Sequence, residues 1–283
     1  MKRLFYGLAV VVSAILVSGC NKETAEVPNT EQKIAIKTGI EAVARTPQLN
    51  EDGSGVFSKG DQFTLLVNNQ NDQSTMLDYS EGITELYWKN LQLPSMEGSV
   101  DFFACYPTQP LADGCFTFDL ATASYKDLLW ASTKNVKVGT ESVALSFRHA
   151  MHRLVVNFSL EDPSYAVADD IETVCTAKSA CVVNLIDGTL DNSASGTSAF
   201  TSPGGKATFL IVPQDAADVT LDVKVGQDTR RFVLNELPEV PAQLQGGMQF
   251  TVDLVVKEGK IELEGTSIEG WGDQGSIDGE IIM

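Results

Sequence analysis

Residues 219–225 read VTLDVKV. Val219, Leu221, Val223 and Val225 fall on one side of an extended chain, and Thr220, Asp222 and Lys224 on the other. A period of two buries one face of a strand and wets the other, as in antiparallel sheets. The alternation returns in MQFTVDLVV (248–256), where Met248, Phe250, Val252, Leu254 and Val256 are in phase, and in KIELEG (260–265), where Ile261 and Leu263 alternate with Glu262 and Glu264. QFTLLV, SVDFFACY, CFTFDL, SVALSF, ATFLIV and RRFVLN are further short strand-like runs, separated by turn clusters such as NEDGSG, SPGG and IDGTLDNSASG. No window carries a long helical stripe; PSYAVADDIETV (163–174) allows one short helix. Short strands with frequent turns predict an all-β chain of β-sandwiches, and the length predicts two of them.

FRHAMHRLVVNF (147–158) refines the pattern. Val143, Leu145, Phe147, His149 and Met151 share one parity, and Leu154, Val156, Phe158 and Leu160 the other. A one-residue slip swaps the faces of a strand, so the phase change within HAMHR predicts a bulge or a strand-to-strand handover. The same geometry argues against a metal site. In an extended segment His149 and His152 point to opposite faces, and no third ligand is nearby. His149 is expected at the core edge, holding a backbone group, and His152 is expected in solvent. The polar stretch KNVKVGTES (134–142) predicts the boundary between the sandwiches, giving domains at 34–140 and 141–283.

The chain opens with Lys2 and Arg3, an apolar run from Leu4 to Val17, and then Val17-Ser18-Gly19-Cys20. The run has the length of a signal-peptide core and is short for a membrane span. Its ending looks like a bacterial lipobox, which predicts a signal peptide at 1–19, lipidation of Cys20 and anchoring in a membrane through the lipid. Residues 20–33 are polar and read as a flexible tether. Lys22 and Glu23 faintly resemble the charged signal that sends lipoproteins to the outer face of the outer membrane.

Net charge is −18, and about −20 once Lys2 and Arg3 leave with the signal. With no cluster of lysine and arginine, this excludes a nucleic-acid partner. Four cysteines remain after Cys20. An even count in an exported protein suggests disulfides, most simply the local pairs Cys105–Cys115 and Cys175–Cys181, although three connectivities exist and free thiols are the other reading. Neither pair has the further ligands that zinc needs.

Several stretches, taken in order over about residues 34–281, resemble the fimbrillin-like family, lipoprotein subunits of type V pili from anaerobic Gram-negative bacteria. They are ARTPQLNEDGSGVFSKGDQFTLLV (44–67), DFFACYP (101–107), KDLLWA (126–131), LSFRHAMHRLVVNF (145–158), ATFLIVPQ (207–214), LQGGMQFTVDLVV (244–256) and IEGWGDQGSIDGEI (268–281). The resemblance implies two transthyretin-like, Greek-key sandwich domains and a structural or adhesive role without catalysis. It also implies partners that are other pilus subunits joined by donor-strand exchange, and a lipid-anchored, surface-exposed place at the outer membrane or in a pilus. In that family a protease cuts after an arginine near the N-terminus; Arg45, followed by Thr46, is the matching position. KIAIKTGIEAVAR is then the removable strand, with Ile34 and Ile36 as its apolar residues. The short GEIIM ending favours a minor, tip or accessory subunit over a shaft subunit. The alternative is a monomeric surface lipoprotein that binds a glycan or a host protein.

Enzyme signatures are missing: there is no Gly-x-Ser-x-Gly, His-Glu-x-x-His or phosphate loop, so neither catalysis nor a cofactor is expected. Asp61 and Asp273, beside glycines, read as turn caps rather than calcium ligands. Trp88, next to Tyr87, reads as core rather than as a sugar platform, and Trp271 as a plug for a sandwich edge.

Overall fold

The computed structural model describes residues 31–40, 57–69, 74–93, 98–162, 170–258 and 260–271. Cys20, Arg45, Thr46 and Asp273 lie outside them. The described chain is all-β. Its first eight strands are β1 (Lys33–Ile40), β2 (Gln62–Asn69), β3 (Ser74–Ser80), β4 (Leu86–Tyr87), β5 (Ser99–Tyr106), β6 (Cys115–Asp119), β7 (Leu129–Lys137) and β8 (Ser142–His149). All but β6 join one seven-stranded sheet in the order β3-β2-β5-β7-β8-β1-β4. It encloses a core that includes Ile34, Phe63, Trp88, Phe102, Leu145 and Phe147.

The chain continues with β9 (His152–Leu160), β10 (Ile171–Lys178), β11 (Ala180–Asn184), β12 (Thr189–Asp191), β13 (Thr197–Pro203) and β14 (Lys206–Ile211). Then follow β15 (Gln214–Asp215), β16 (Thr220–Val225), β17 (Asp228–Val233), β18 (Gln243–Leu244), β19 (Met248–Lys257) and β20 (Lys260–Gly270). Two four-stranded sheets, β13-β10-β16-β17 and β14-β9-β19-β20, contribute to a second core. VTLDVKV supplies it as its alternation requires: Val219, Leu221, Val223 and Val225 are all buried there. Ile171–Val174, at the end of the stretch that allowed a helix, are strand β10.

A three-stranded sheet, β12-β11-β6, joins the two parts of the chain, because β6 pairs antiparallel with β11 from Ala180↔Asp119 to Asn184↔Cys115. Its side chains Phe116, Phe118 and Val183 share a third cluster with Phe103 and Cys105 of β5. This explains why SVDFFACY does not alternate. Phe102 faces one cluster and Phe103 another, and both are fully buried, as for a strand covered on both faces.

The phase change in HAMHR marks a change of sheet. β8 belongs to the seven-stranded sheet and β9 to the sheet β14-β9-β19-β20, so the handover falls at Ala150–Met151. The polar stretch around Gly139, expected to be the boundary, joins β7 to β8 within one sheet.

Candidate functional site

β1 is an insert. On one side it pairs parallel with β8 in six positions, from Ala35↔Ser142 to Ile40↔Phe147, and on the other it meets β4 at Lys33↔Tyr87 and Ile34↔Leu86. β8 pairs with β7 at only two positions, Leu129↔His149 and Trp130↔Arg148. The first six residues of β8 therefore take their ladder partner from β1. Ile34 and Ile36 point inward and are 1% and 7% exposed, as expected of the two same-face residues. Beneath them the Trp88 ring is fully buried, and its indole N–H donates to the Thr140 carbonyl at 3.0 Å, so Trp88 is core and not a ligand platform. The Lys33–Glu85 pair at the start of β1 spans 2.7 Å but is exposed, and it adds little. The insert is held by two isoleucines and a ladder.

A second constellation lies at the handover. The Asp127 carboxylate accepts from His149 Nδ1 at 3.0 and 3.1 Å, and both side chains are buried. The Trp271 ring stacks on the His149 ring with centroids 3.7 Å apart and planes at 22°. The Arg153 guanidinium stands over Trp271, 5.7 Å from its centroid. The Trp271 backbone N–H donates to the Gly247 carbonyl at 2.7 Å, which fixes the end of β20 to the turn before β19. Trp271 thus fills the junction between parts of the chain rather than an outer sandwich edge.

His149 is buried as expected, but the backbone-holding role expected of it falls to His152. His152 is fully buried, and its Nδ1 donates to the Gln245 carbonyl at 2.9 Å. His149 binds a carboxylate instead of a backbone group. The expectation for His152 failed because β9 is covered on both faces: His152, Arg153, Leu154, Val155 and Val156 are all buried. Burial pulls the His152 pKa below its ordinary 6.5, and the Gln245 hydrogen bond opposes this only in part. The unfolded chain therefore takes up this proton first. The His152 contribution is whole above the ordinary imidazole value and weakens as pH falls below it. His152→Gln is expected to flatten the fall in thermal midpoint between about pH 7 and pH 5; parallel profiles for variant and parent would contradict this.

The cysteines are a correction. Cys105, Cys115, Cys175 and Cys181 are free thiols, and neither local pair is bridged. Cys175 belongs to the second core, whereas Cys181, on the next strand, belongs to the third cluster. The short loop between them places its two sulfurs in different interiors. Burial pushes the thiols of Cys105, Cys175 and Cys181 up to about 12, so they stay protonated and inert.

Trp130 pins the β11–β12 hairpin. Its indole N–H donates to the Leu185 carbonyl at 3.0 Å, and the Arg148 guanidinium lies 5.0 Å from its centroid. Gly188 sits at φ +72°, where a Cβ would come within 2.6 Å of Trp130 Cζ2. Gly188→Ala combines left-handed strain of about 1–2 kcal/mol with displacement of the indole, and is expected to cost roughly 2–4 kcal/mol in denaturant unfolding. An unchanged midpoint would show that the hairpin yields freely.

Among the described residues no three His, Cys, Asp or Glu side chains gather to hold a metal, and no helix is long and apolar enough to cross a membrane. Layers of strands, an inserted strand and a junction filled by an aromatic stack define a structural β protein. The chain belongs to the fimbrillin-like family, whose sequence model matches residues 43–271. No curated protein matches it in sequence. Solved structures share the fold. A candidate cell adhesion protein from Bacteroides uniformis superposes with a TM-score of 0.60 at 18% identity, over 76% of this chain and 93% of that one. A second candidate cell adhesion protein, from Bacteroides ovatus, gives 0.58 at 17% identity, over 86% and 99%. A third, from Bacteroides thetaiotaomicron, gives 0.51 at 14%, over 89% and 98%. Family and fold point to a non-enzymatic, pilus- or adhesin-like role at the cell surface.

Proposed function

We propose that this chain is a minor, tip or accessory subunit of a type V pilus, anchored through a lipid on Cys20 and joined to its neighbours by donor-strand exchange. In this reading the lipid on Cys20 holds the chain at the membrane until cleavage after Arg45 releases β1 together with it, and a strand from another subunit takes its place beside β8. The observation that carries the reading is the dependence of β8 on β1. Six residues of β8 draw their ladder from a single inserted strand that also covers the core with Ile34 and Ile36. Loss of such a strand leaves unpaired backbone groups and an apolar groove, and a supplied strand satisfies both.

The test compares the mature chain with a chain beginning at Thr46, each mixed with neighbouring fimbrillin-like subunits of the same cell. Only the trimmed chain is expected to form oligomers that survive denaturing electrophoresis without heating. Immunogold on cells should then label fibres. Label confined to bare membrane, with no oligomers from the trimmed chain, would leave the surface-monomer alternative.

A further inference from the structure

A cleft of about 660 Å³ opens beside the handover. Two separate parts of the chain line it. Trp130 and Arg148 come from the β7–β8 pair; Leu190 and Asp191 come from β12, and Gln243 and Gln245 from β18 and the turn after it. Its volume lies within the range of about 300–1,000 Å³ usual for small-ligand sites, which form preferentially where units of a fold meet.

The lining selects a chemistry. Arg148 and Asp191 offset each other in charge, and both are exposed at the cleft, as are Gln243 and Gln245. An anion approaching a chain of net charge −18 meets Asp191 as well, and a cation meets Arg148. The ligand these groups suit is uncharged and carries both donors and acceptors. Guanidinium donates, carboxylate accepts, the Gln245 amide does both, and the Gln243 amide, whose nitrogen donates to the Asp215 carboxylate, offers its oxygen, which together complement adjacent hydroxyl groups. Leu190 and the Trp130 indole add apolar surface for C–H groups. Two of the polar groups are already held in place. The Arg148 guanidinium lies over Trp130, whose own N–H is tied to Leu185, and an Asp191 carboxylate oxygen is fixed by the Ser193 backbone N–H at 2.8 Å. Groups held before binding lose little freedom on binding.

We infer that this cleft is a binding site for a neutral oligosaccharide, with Asp191 and Arg148 engaging hydroxyl pairs and Gln243 completing the rim. The inference does not rest on strand exchange, because the site is complete in the untrimmed chain.

The mature, untrimmed chain is applied to an array of neutral, sialylated and uronate-bearing oligosaccharides, and affinity for the strongest neutral glycan is then measured by calorimetry. Binding to neutral glycans is expected. Asp191→Ala is expected to weaken it at least about tenfold, the scale of one lost hydrogen bond to a charged group, and Gln243→Ala about two- to tenfold, the scale of a neutral one, with an unchanged melting midpoint. Should Asp191→Ala lower the midpoint through its turn contact, Asp191→Asn, which keeps an acceptor for Ser193, and Gln243→Ala decide the matter. Binding to acidic glycans alone, no binding to any glycan, or neutral binding indifferent to both positions would overturn the inference.

Discussion

A chain trimmed after Ile40 is expected to lose on the order of 5 kcal/mol of stability and to recover it when the synthetic peptide KIAIKTGI is added. Burial of Ile34 and Ile36 contributes roughly 1.5–3 kcal/mol each. The ladder to β8 adds to the two isoleucines, and a loss of that order is a large share of the roughly 5–15 kcal/mol that stabilises an ordinary domain. The supplied peptide raises the melting midpoint with its concentration, as any ligand of the folded form does. A peptide with aspartate in place of both isoleucines cannot fill the core and should not rescue. If the trimmed chain melts with the parent, or the aspartate peptide rescues equally, β1 is no plug. This measurement needs no partner subunit, so it separates the physics of the groove from the question of what fills it in the cell.

Trp271→Ala is expected to cost about 3–5 kcal/mol, the usual range for truncating a buried tryptophan. The side chain is 8% exposed and fills the third hydrophobic cluster between the His149 ring and the Arg153 guanidinium. Trp271→Phe should cost clearly less. It keeps an aromatic face against His149, and it removes an indole N–H that is buried without a hydrogen-bond partner. A double-mutant cycle with His149→Ala isolates the stack, with a coupling of about 0.5–1.5 kcal/mol expected for an aromatic pair. Equal losses for the alanine and phenylalanine variants, or zero coupling, would show that Trp271 acts as filler and not as a lock.

Strand content was legible because period two is a local property. VTLDVKV and MQFTVDLVV bury the residues their alternation assigns, apart from the half-buried Met248 at the strand's start. The handover was legible as a phase change in HAMHR for the same reason. Partners were not. Nothing local tells β6 to pair with β11, whose residues lie some 60 positions on, and without that sheet the burial of both Phe102 and Phe103 had no explanation. Alternation also carries no direction. Ile34 and Ile36 could be assigned to the core, but the parallel course of β1 along β8 could not. At the handover, sequence put His149 on the inner face but could not supply Asp127, 22 residues earlier, or Trp271, which stacks on it from the end of β20. Two stretches that served as separate family markers turn out to be one contact. The cysteines misled because sequence spacing measures chain length and not the side of the sheet on which each sulfur lies.

The directions of the strands decide how the molecule answers a pull. β1 and β8 run parallel, so tension between Lys33 and His149 slides one strand along the other and strains all six paired positions together. The sheet that follows is loaded differently. Arg153 near the start of β9 pairs with Gln249, and Gln249 pairs with Glu269 near the end of β20, so the chain enters and leaves at one end. Tension there would peel the strands one pair at a time, were it not that Trp271 lies against His149 and passes the load from β8 straight to the end of β20. An uncut molecule held at its N-terminal side and tugged beyond β20 is therefore braced by β1 in shear, with the second core sheltered behind the Trp271–His149 stack.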